Sequence, residues 1–278
     1  MEIEKAAELG FCTGVRRAID ILEKAAQEFG PLLTLGPVVH NQRVMERLAQ
    51  FGVKAIGDVD QLEGSTVAIS SHGVSPKVVE QIETRALRII DTTCPFVRRA
   101  QIAAKRLAGA GFFVIVFGDE SHPEVQGVLG WAKDNGLATV ELPKFDKLPQ
   151  RIGILSQTTQ SFSGFTRFIS SFADSYLALI SELRIINTIC DATRRRQEAA
   201  LELAKKVDMM LVVGSHGSAN TQRLTEICSV VVETHLIDGA GELDHAWLLN
   251  HQRIGVTAGA STPDEAIEEV VARLQDAQ

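Results

Sequence analysis

One short pattern occurs three times in this chain, and it constrains the fold more than any other feature. Each copy reads Cys-x-x-(Val/Thr)-Arg-Arg: Cys12–Ala18 (CTGVRRA), Cys94–Ala100 (CPFVRRA) and Cys190–Arg196 (CDATRRR). A short strand-like segment precedes each cysteine, weakest in Ile3–Leu9, and a helical pattern follows it. The cysteines are therefore predicted to lie at equivalent strand-to-helix turns of three repeated units.

A second feature recurs 28 residues after each cysteine, where a polar residue ends a strand-like run and opens a helix. These residues are His40, His122 and Ser218. The constant spacing indicates that each unit contains the same strand–loop–helix element twice.

A third feature is a polar loop after a later strand-like run. These runs cover residues 66–69, 152–155 and 254–256, and the loops contain His72, Thr158 and Ser261. Short apolar runs near 53–56, 139–142 and 230–237 predict one more strand in each unit.

Alternating strands and helices predict an α/β fold of three units, each a small, mostly parallel four-stranded sheet flanked by helices. We expect the units to cover residues 1–95, 96–189 and 190–278. In parallel sheets, the loops beyond the carboxyl ends of the strands form the binding crevice. Three units related by a pseudo-threefold axis would bring these loops, with their cysteines and polar residues, to one centre.

The cysteines have two readings. A single cysteine is most often a small buried hydrophobe, and Cys228, in an apolar helical stretch, is interpreted that way. Cys12, Cys94 and Cys190 occupy equivalent positions, and turns at helix starts favour thiolates. The chain contains no C-x-x-C pair, which disfavours a zinc knuckle. Three separate thiolates suit one central iron–sulfur cluster and leave one iron of a [4Fe–4S] cube open for substrate.

Polar residues on the same loops suggest an anion site. They are His40, His72 and His122, joined by Ser218, Asn220 and Ser261 of the third unit. Hydrogen-bond donors beside helix starts suit phosphate or diphosphate. Taken alone, each histidine fits a helix cap or a satisfied polar group better than an anion ligand, and it is the set on common loops that favours the anion site.

Glu124 also has two readings. An acid in the first helical turn after Pro123 is a common helix start. At the predicted centre, however, a buried carboxyl with a raised pKa could donate a proton.

Charge and hydropathy exclude some functions. The net charge of −7 and the lack of a Lys/Arg-rich block disfavour a nucleic-acid surface. No apolar run approaches the roughly 20 residues that span a bilayer, and the first ten residues lack a signal-peptide core. We therefore expect a cytoplasmic protein without membrane contact.

The motifs together resemble those of the 4-hydroxy-3-methylbut-2-enyl diphosphate reductases, the enzymes of the last step of the non-mevalonate isoprenoid route. The resemblance runs in order along nearly the whole chain. It is carried by Gly10–Ala18, Val38–Asn41, Ser71–Ser75, Asp91–Pro95, His122–Glu124, Gln157–Thr159, Cys190–Thr193 and Thr257–Ser261.

The resemblance implies a [4Fe–4S] cluster on Cys12, Cys94 and Cys190, with the substrate hydroxyl at the open iron. It implies Glu124 as the acid of a proton relay, with Thr158 as its hydroxyl partner. The diphosphate would be bound by His40, His72, His122, Ser218, Asn220 and Ser261, and Thr158 would also contact the substrate. Ferredoxin or flavodoxin is the expected electron donor. Ala219 departs from the pattern, because well-known relatives carry a second serine there.

Two other functions fit parts of the pattern. A metal hydrolase acting on a phosphorylated substrate would use the cysteines and histidines as zinc ligands. A redox or iron sensor would need the cysteines but not the anion site. Stoichiometric zinc without visible absorption would indicate the hydrolase, and failure of the reduced protein to bind any allylic diphosphate would indicate the sensor.

Overall fold

The structure is a computed structural model that describes residues 1–64, 66–85, 87–133, 135–249 and 251–277. The chain divides into two compact units, called the first and second compact units, whose bounds differ from those of the three repeats in the sequence. The first unit comprises Met1–Arg16, Val39–Arg47 and Asp191–Gln278, and the second comprises Arg17–Val38 and Leu48–Cys190.

Strands and helices alternate along most of the described ranges. The strands are β1 (Glu2–Lys5), β2 (Leu32–Leu35), β3 (Val53–Ile56), β4 (Thr66–Ile69), β5 (Arg88–Asp91), β6 (Phe113–Phe117), β7 (Gly136–Thr139), β8 (Arg151–Ser156), β9 (Glu182–Ile186), β10 (Met209–Val213), β11 (Glu233–Ile237) and β12 (Arg253–Ala258). The α-helices are α1 (Thr13–Phe29), α2 (Gln42–Gln50), α3 (Pro76–Thr84), α4 (Pro95–Gly109), α5 (Pro123–Trp131), α6 (Phe162–Tyr176), α7 (Asp191–Ala204), α8 (Ala219–Ser229) and α9 (Asp264–Asp276). Among the helices described, none combines the length and the apolar character that a membrane crossing requires.

Local sequence accounts for most helix starts. Proline, whose fixed φ suits the first helical position, begins α3, α4 and α5. Serine hydroxyls cap α3, α6 and α8 by accepting a backbone N–H three residues ahead. These caps are Ser75, Ser161 and Ser218.

The strands form three four-stranded parallel sheets, which confirms the predicted α/β fold. The sheet orders are β3-β2-β4-β5, β7-β6-β8-β9 and β11-β10-β12-β1. Within each sheet, every neighbouring pair of strands is parallel. The third order matches the other two, except that its edge strand comes from the start of the chain.

The position of β1 corrects the predicted grouping of the first strand with residues 1–95. Strand β1 pairs with β12, in a register that runs from Glu2 opposite Arg253 to Lys5 opposite Val256. Parallel pairing needs only an open edge and a compatible register, not sequence neighbours. The boundaries at 95/96 and 189/190 stay a prediction.

Two predicted strands are displaced along the chain. Strand β7 ends at Thr139 instead of running through 139–142, and Val140 beyond it is 51% exposed. Strand β11 begins at Glu233, and Val230, at the start of the predicted run, is 86% exposed. Apolar character alone misplaced both strands, because these valines lie in surface turns.

The sheet β7-β6-β8-β9 separates two apolar layers. Val114 and Val116 pack with residues of α4 and α5 in one cluster. Ile115 and Phe117 pack with the phenylalanines of α6 in another. Alternate residues of β6 therefore face opposite sides of the sheet, as the twofold period of a strand requires.

Close packing of α4 against this sheet leaves no room for a side chain at residue 153. A Cβ atom at Gly153 would lie 2.7 Å from both methyl carbons of the buried Leu107. We expect Gly153→Ala to lower the free energy of unfolding by about 1–3 kcal/mol through overpacking. Thermal denaturation followed by circular dichroism measures this as a lower Tm.

Gly109→Ala is the matched control. Gly109 lies in the last turn of α4, and a Cβ there would meet no atom within 4 Å among those described. This substitution should raise stability by roughly 0.4–1 kcal/mol, because it restricts the unfolded chain. A higher Tm for Gly153→Ala would contradict the packing argument.

Candidate functional site

Each of the three repeated cysteines stands directly before a helix. Cys12, Cys94 and Cys190 precede the first residues of α1, α4 and α7, and each is partly exposed. None of the chain's four cysteines, all within the described ranges, forms a disulfide bond. The predicted strand-to-helix placement is therefore confirmed, and the three thiols are accessible for ligation.

The same backbone hydrogen bond holds all three cysteine turns. The cysteine N–H donates to a carbonyl oxygen two residues beyond the end of a neighbouring strand of its sheet, which is β12, β4 or β8. The pairs are Cys12 with Ala260 (3.2 Å), Cys94 with Ser71 (3.0 Å) and Cys190 with Thr158 (3.1 Å). This contact joins residues that are distant in sequence, so the motif itself did not predict it.

The Cys12 thiol lies in the field of its helix start. Its Sγ accepts a hydrogen bond from the backbone N–H of Val15 at 3.4 Å. N–H donors and the helix dipole stabilise a thiolate, which is the form that binds metals. Cys228 contrasts with it, because burial raises the pKa of that thiol to about 12 and it packs against apolar residues, as predicted.

In the second unit, Glu124 is the buried acid of the site, with only 2% of its surface exposed. Its Oε1 accepts the backbone N–H of Thr158 at 2.7 Å, and its Oε2 accepts the Thr158 hydroxyl at 2.8 Å. Burial raises the pKa of Glu124 to about 7, although both hydrogen bonds from Thr158 lower it. The Thr158 carbonyl also accepts the Cys190 N–H, so one residue links the acid to a cysteine turn.

His122 shows that the capping and functional readings are compatible. It caps α5 through Nδ1, which accepts the Glu124 N–H at 3.2 Å. In the neutral ring, this leaves Nε2 as the N–H donor. The ring of His72 packs edge-on against His122, with centroids 5.3 Å apart.

In the first unit, the helix-capping role falls one residue after His40. Helix α2 begins at Gln42, and Asn41 Oδ1 accepts the Val44 N–H at 3.1 Å. The expectation that His40 itself opens the helix is therefore corrected, since the shorter side chain of Asn41 caps it. Burial lowers the pKa of His40, which favours the neutral form of its ring.

Two further predicted residues of the first compact unit, Asn220 and Ser261, lie beside the loop that holds the Cys12 turn. Asn220 Oδ1 accepts the Ala260 N–H at 2.9 Å, and Ala260 in turn holds Cys12. Within the described part of the chain, Asn220 Nδ2 is buried without a hydrogen-bond partner. The Ser261 hydroxyl is 3.5 Å from the His40 carbonyl oxygen. Ser218 caps α8, so Ala219 is the first residue of that helix.

Two residues of the site were missed by the sequence analysis. Arg196 is buried and donates to the Gly10 carbonyl oxygen at 2.6 Å, which supports the segment before Cys12. The signal was present, because the other two copies of the motif have alanine at this position. Ser71 donates to the Val38 carbonyl oxygen at 2.6 Å, a nonlocal contact with no sequence signal.

Fold and site together define an α/β protein with three repeated cysteine turns and a buried carboxyl group whose pKa is raised to about 7. The chain belongs to the LytB protein family, which matches residues 3–275. The family predicted from the motifs is thereby confirmed.

Relatives in this family are similar over their full lengths. Proteins named 4-hydroxy-3-methylbut-2-enyl diphosphate reductase are 52% identical in Dehalococcoides mccartyi strain CBDB1 and 43% identical in Geobacter sulfurreducens. In both cases the match covers 99% of this chain and 98% of the relative.

Two solved structures are also similar. One is an (E)-4-hydroxy-3-methyl-but-2-enyl diphosphate reductase, described as the terminal enzyme of the non-mevalonate pathway, with 36% identity and a TM-score of 0.69. This match covers 99% of this chain and 100% of the chain in that structure. The other, the E-1-hydroxy-2-methyl-but-2-enyl-4-diphosphate reductase of Plasmodium falciparum, has 28% identity and a TM-score of 0.91, covering 99% of this chain and 88% of its own.

The raised pKa of Glu124 makes stability depend on pH. Its ordinary value is 4.5 and its folded value is about 7, so the folded chain binds more protons between these values. Stability from this group is fully present below pH 4.5 and is lost as pH rises through 7. Glu124→Gln should remove that component from urea-unfolding free energies measured across this range.

Thr158→Ala tests the cause of the pKa. It deletes the hydroxyl donor to Oε2 but keeps the backbone N–H at Oε1. Since that hydroxyl lowers the pKa, the carboxyl should titrate at a higher pH, as seen in its infrared C=O band. An unchanged or lower pKa would contradict the assignment.

Proposed function

We propose that this chain catalyses the reductive dehydroxylation of 4-hydroxy-3-methylbut-2-enyl diphosphate. The allylic C–O bond breaks and a C–H bond forms, giving isopentenyl diphosphate and dimethylallyl diphosphate. Two electrons and two protons are consumed, and the hydroxyl leaves as water. Full-length similarity to relatives that carry this reductase name supports the proposal.

The donor set of the three cysteine turns fits an iron–sulfur cluster. Cys12, Cys94 and Cys190 are accessible and stand at helix starts, where thiolates are stabilised. We assign them as the three ligands of one [4Fe–4S] cluster. When bound, the cluster would supply one-electron storage and an iron without a protein ligand.

The observation that carries the proposal is the buried, protonatable Glu124 held by Thr158, which also holds the Cys190 turn. Oε1 is occupied by a backbone N–H, so the acidic proton belongs on Oε2. The Thr158 hydroxyl can accept that proton and donate its own, because a hydroxyl is both donor and acceptor. Glu124 and Thr158 therefore form a two-group proton relay, with Glu124 as the acid.

The polar loops would bind the diphosphate. The buried Asn220 Nδ2, which lacks a partner among the described residues, is a donor suited to an anion. Burial favours the neutral form of His40, which can donate one hydrogen bond to the anion. The other residues assigned to the diphosphate are His72, His122, Ser218 and Ser261, and Thr158 is assigned as a further substrate contact. Where Ala219 replaces a serine, the backbone N–H of this first helical residue takes over the contact.

The electrons would come from a ferredoxin or a flavodoxin. The reaction needs a one-electron donor of low potential, and both protein classes supply one.

Glu124→Gln tests the relay. The amide keeps the shape but cannot donate an acidic proton, so turnover should fall by about 10²–10⁴-fold. Iron and sulfide content should stay unchanged. In the wild type, turnover should fall as pH rises above about 7, because the acid loses its proton.

Glu120→Gln is the matched control for this variant. Glu120 is an exposed acid just before the same helix and should retain wild-type turnover. If both variants kept normal turnover, the acid role of Glu124 would be wrong.

Cysteine substitutions test the cluster. Cys12→Ala, Cys94→Ala and Cys190→Ala should each lose most iron and sulfide after anaerobic purification, together with the visible absorption. The buried Cys228→Ala variant should retain all three signals. Stoichiometric zinc without sulfide in the wild type would instead support a metal hydrolase.

A further inference from the structure

The second unit carries a groove of strongly basic character between helix α4 and strand β9. Four arginines line it, together with exposed and partly buried isoleucines. These residues are Arg98, Arg99, Arg106, Arg184, Ile102 and Ile186. None of the described residues that line the groove is acidic. This concentration of positive charge stands out in a chain whose net charge is −7.

Helical spacing arranges the basic residues around an apolar centre. Arg98, Ile102 and Arg106 follow one another at intervals of four along α4, so they lie in one row on its surface. Ile102 is 42% exposed, although it has an apolar side chain. A charged rim around an exposed apolar residue is typical of a surface that meets another protein.

Part of the positive charge is neutralised within the unit. Arg98 pairs with Asp91, and Arg184 pairs with Glu182. Glu182 also pairs with Arg151. The guanidinium groups of Arg151 and Arg184 both lie over the ring of Phe112. The arginines of the groove outnumber the acids that pair with them, so the net charge of the groove remains positive.

Among the described residues, no acid pairs with either of the other two arginines, which also line the groove. Arg99 donates to the Asn187 carbonyl oxygen at 3.4 Å, and Arg106 is exposed near the end of α4. They are therefore the arginines whose charge is most available to a partner.

The groove lies between the two elements that carry cysteine turns of this unit. Helix α4 begins directly after Cys94, so Arg98 and Arg99 lie within about 8 Å of the helix start along its axis. Strand β9 ends four residues before Cys190. Arg99 contacts Asn187, and the Asn187 side chain accepts the N–H of Ile189, which immediately precedes Cys190.

We propose that this arginine groove docks the acidic face of a small electron-carrier protein. The inference rests on the proposed reductase function. At each encounter the carrier is oxidised by one electron and the chain is reduced by one, so two encounters supply each turnover. Transient redox interfaces are small, and charge complementarity speeds their formation. The groove is lined by Pro95, which follows Cys94, and Arg99 in its lining contacts Asn187, three residues before Cys190, so a docked carrier would lie close to both cysteine turns.

The test uses the anaerobically purified holoenzyme and the double variant Arg99→Glu/Arg106→Glu. The probes are an acidic ferredoxin and an acidic flavodoxin. We expect the Kd and the KM for each carrier to rise at least 10-fold, with kcat at saturating carrier within about twofold of wild type. Wild-type binding should weaken between 50 and 300 mM NaCl, and the variant should lose most of that dependence, because screening acts on the same charges.

A charge-matched control changes the net charge of the chain by the same amount as Arg99→Glu/Arg106→Glu. Arg167→Glu/Lys147→Glu changes two exposed positive residues, one in α6 and one in the loop before β8, whose Phe145 and Leu148 pack with α6 on the opposite side of the sheet. This control should bind both carriers as the wild type does. Arg99→Lys/Arg106→Lys, which keeps the charge, should bind within about threefold of wild type and shows that loss of binding is not loss of folding.

Small reductants separate the two proposals. Turnover driven by dithionite, and by reduced methyl viologen, should be unchanged in Arg99→Glu/Arg106→Glu. Absence of turnover in the wild type with both reductants would refute the reductase function. Normal turnover with unchanged carrier Kd and KM in the variant would refute only the docking surface. The docking proposal also fails if neither carrier binds the wild type at 50 mM NaCl, or if an RNA oligonucleotide binds with equal affinity and equal sensitivity to the two substitutions.

Discussion

A backbone hydrogen bond made three times places the chemistry of this protein. Each cysteine N–H reaches a carbonyl oxygen just beyond a neighbouring parallel strand, and each cysteine is followed at once by a helix. The bond therefore determines where the thiol and the helix start lie relative to the sheet edge. Because the loop that accepts the bond also carries a site residue, the cysteine turn and the polar loop are positioned together. Thr158 is the clearest case, since its carbonyl holds Cys190 while its hydroxyl holds Glu124.

Burial then changes the chemistry of the side chains that these turns and loops position. The same carboxyl group in water would be ionised at pH 7, but removal from solvent raises the pKa of Glu124 to about 7. Two hydrogen bonds from Thr158 limit the rise and leave one oxygen with a partner that can exchange protons. Burial has the opposite functional result at Cys228, where the thiol is kept neutral and apart from metal chemistry. The four cysteines therefore differ in chemistry because their environments differ.

Helix α4 has two functions in this arrangement. Its buried face packs against the sheet through Ala103, Ala104 and Leu107, and this packing is close enough to require glycine at residue 153. Its outer face presents the row of Arg98, Ile102 and Arg106. A rigid, tightly packed helix that starts at Cys94 is suited to hold a docking surface at a constant distance from that cysteine.

The sequence by itself determined the repeated strand-to-helix turns, the three cysteines, the exclusion of Cys228 and the family. These predictions follow from residue types that recur at constant spacing, because local propensity and repetition can be recognised in the sequence alone. Only the tertiary structure decided that β1 joins the sheet of β10–β12, that Asn41 rather than His40 caps α2, and that Arg196 supports the Cys12 segment. The physical reason is that strand pairing, hydrogen bonding across loops and desolvation depend on contacts between residues distant in sequence. The raised pKa of Glu124 belongs to this second group, because its local sequence also describes an ordinary helix start.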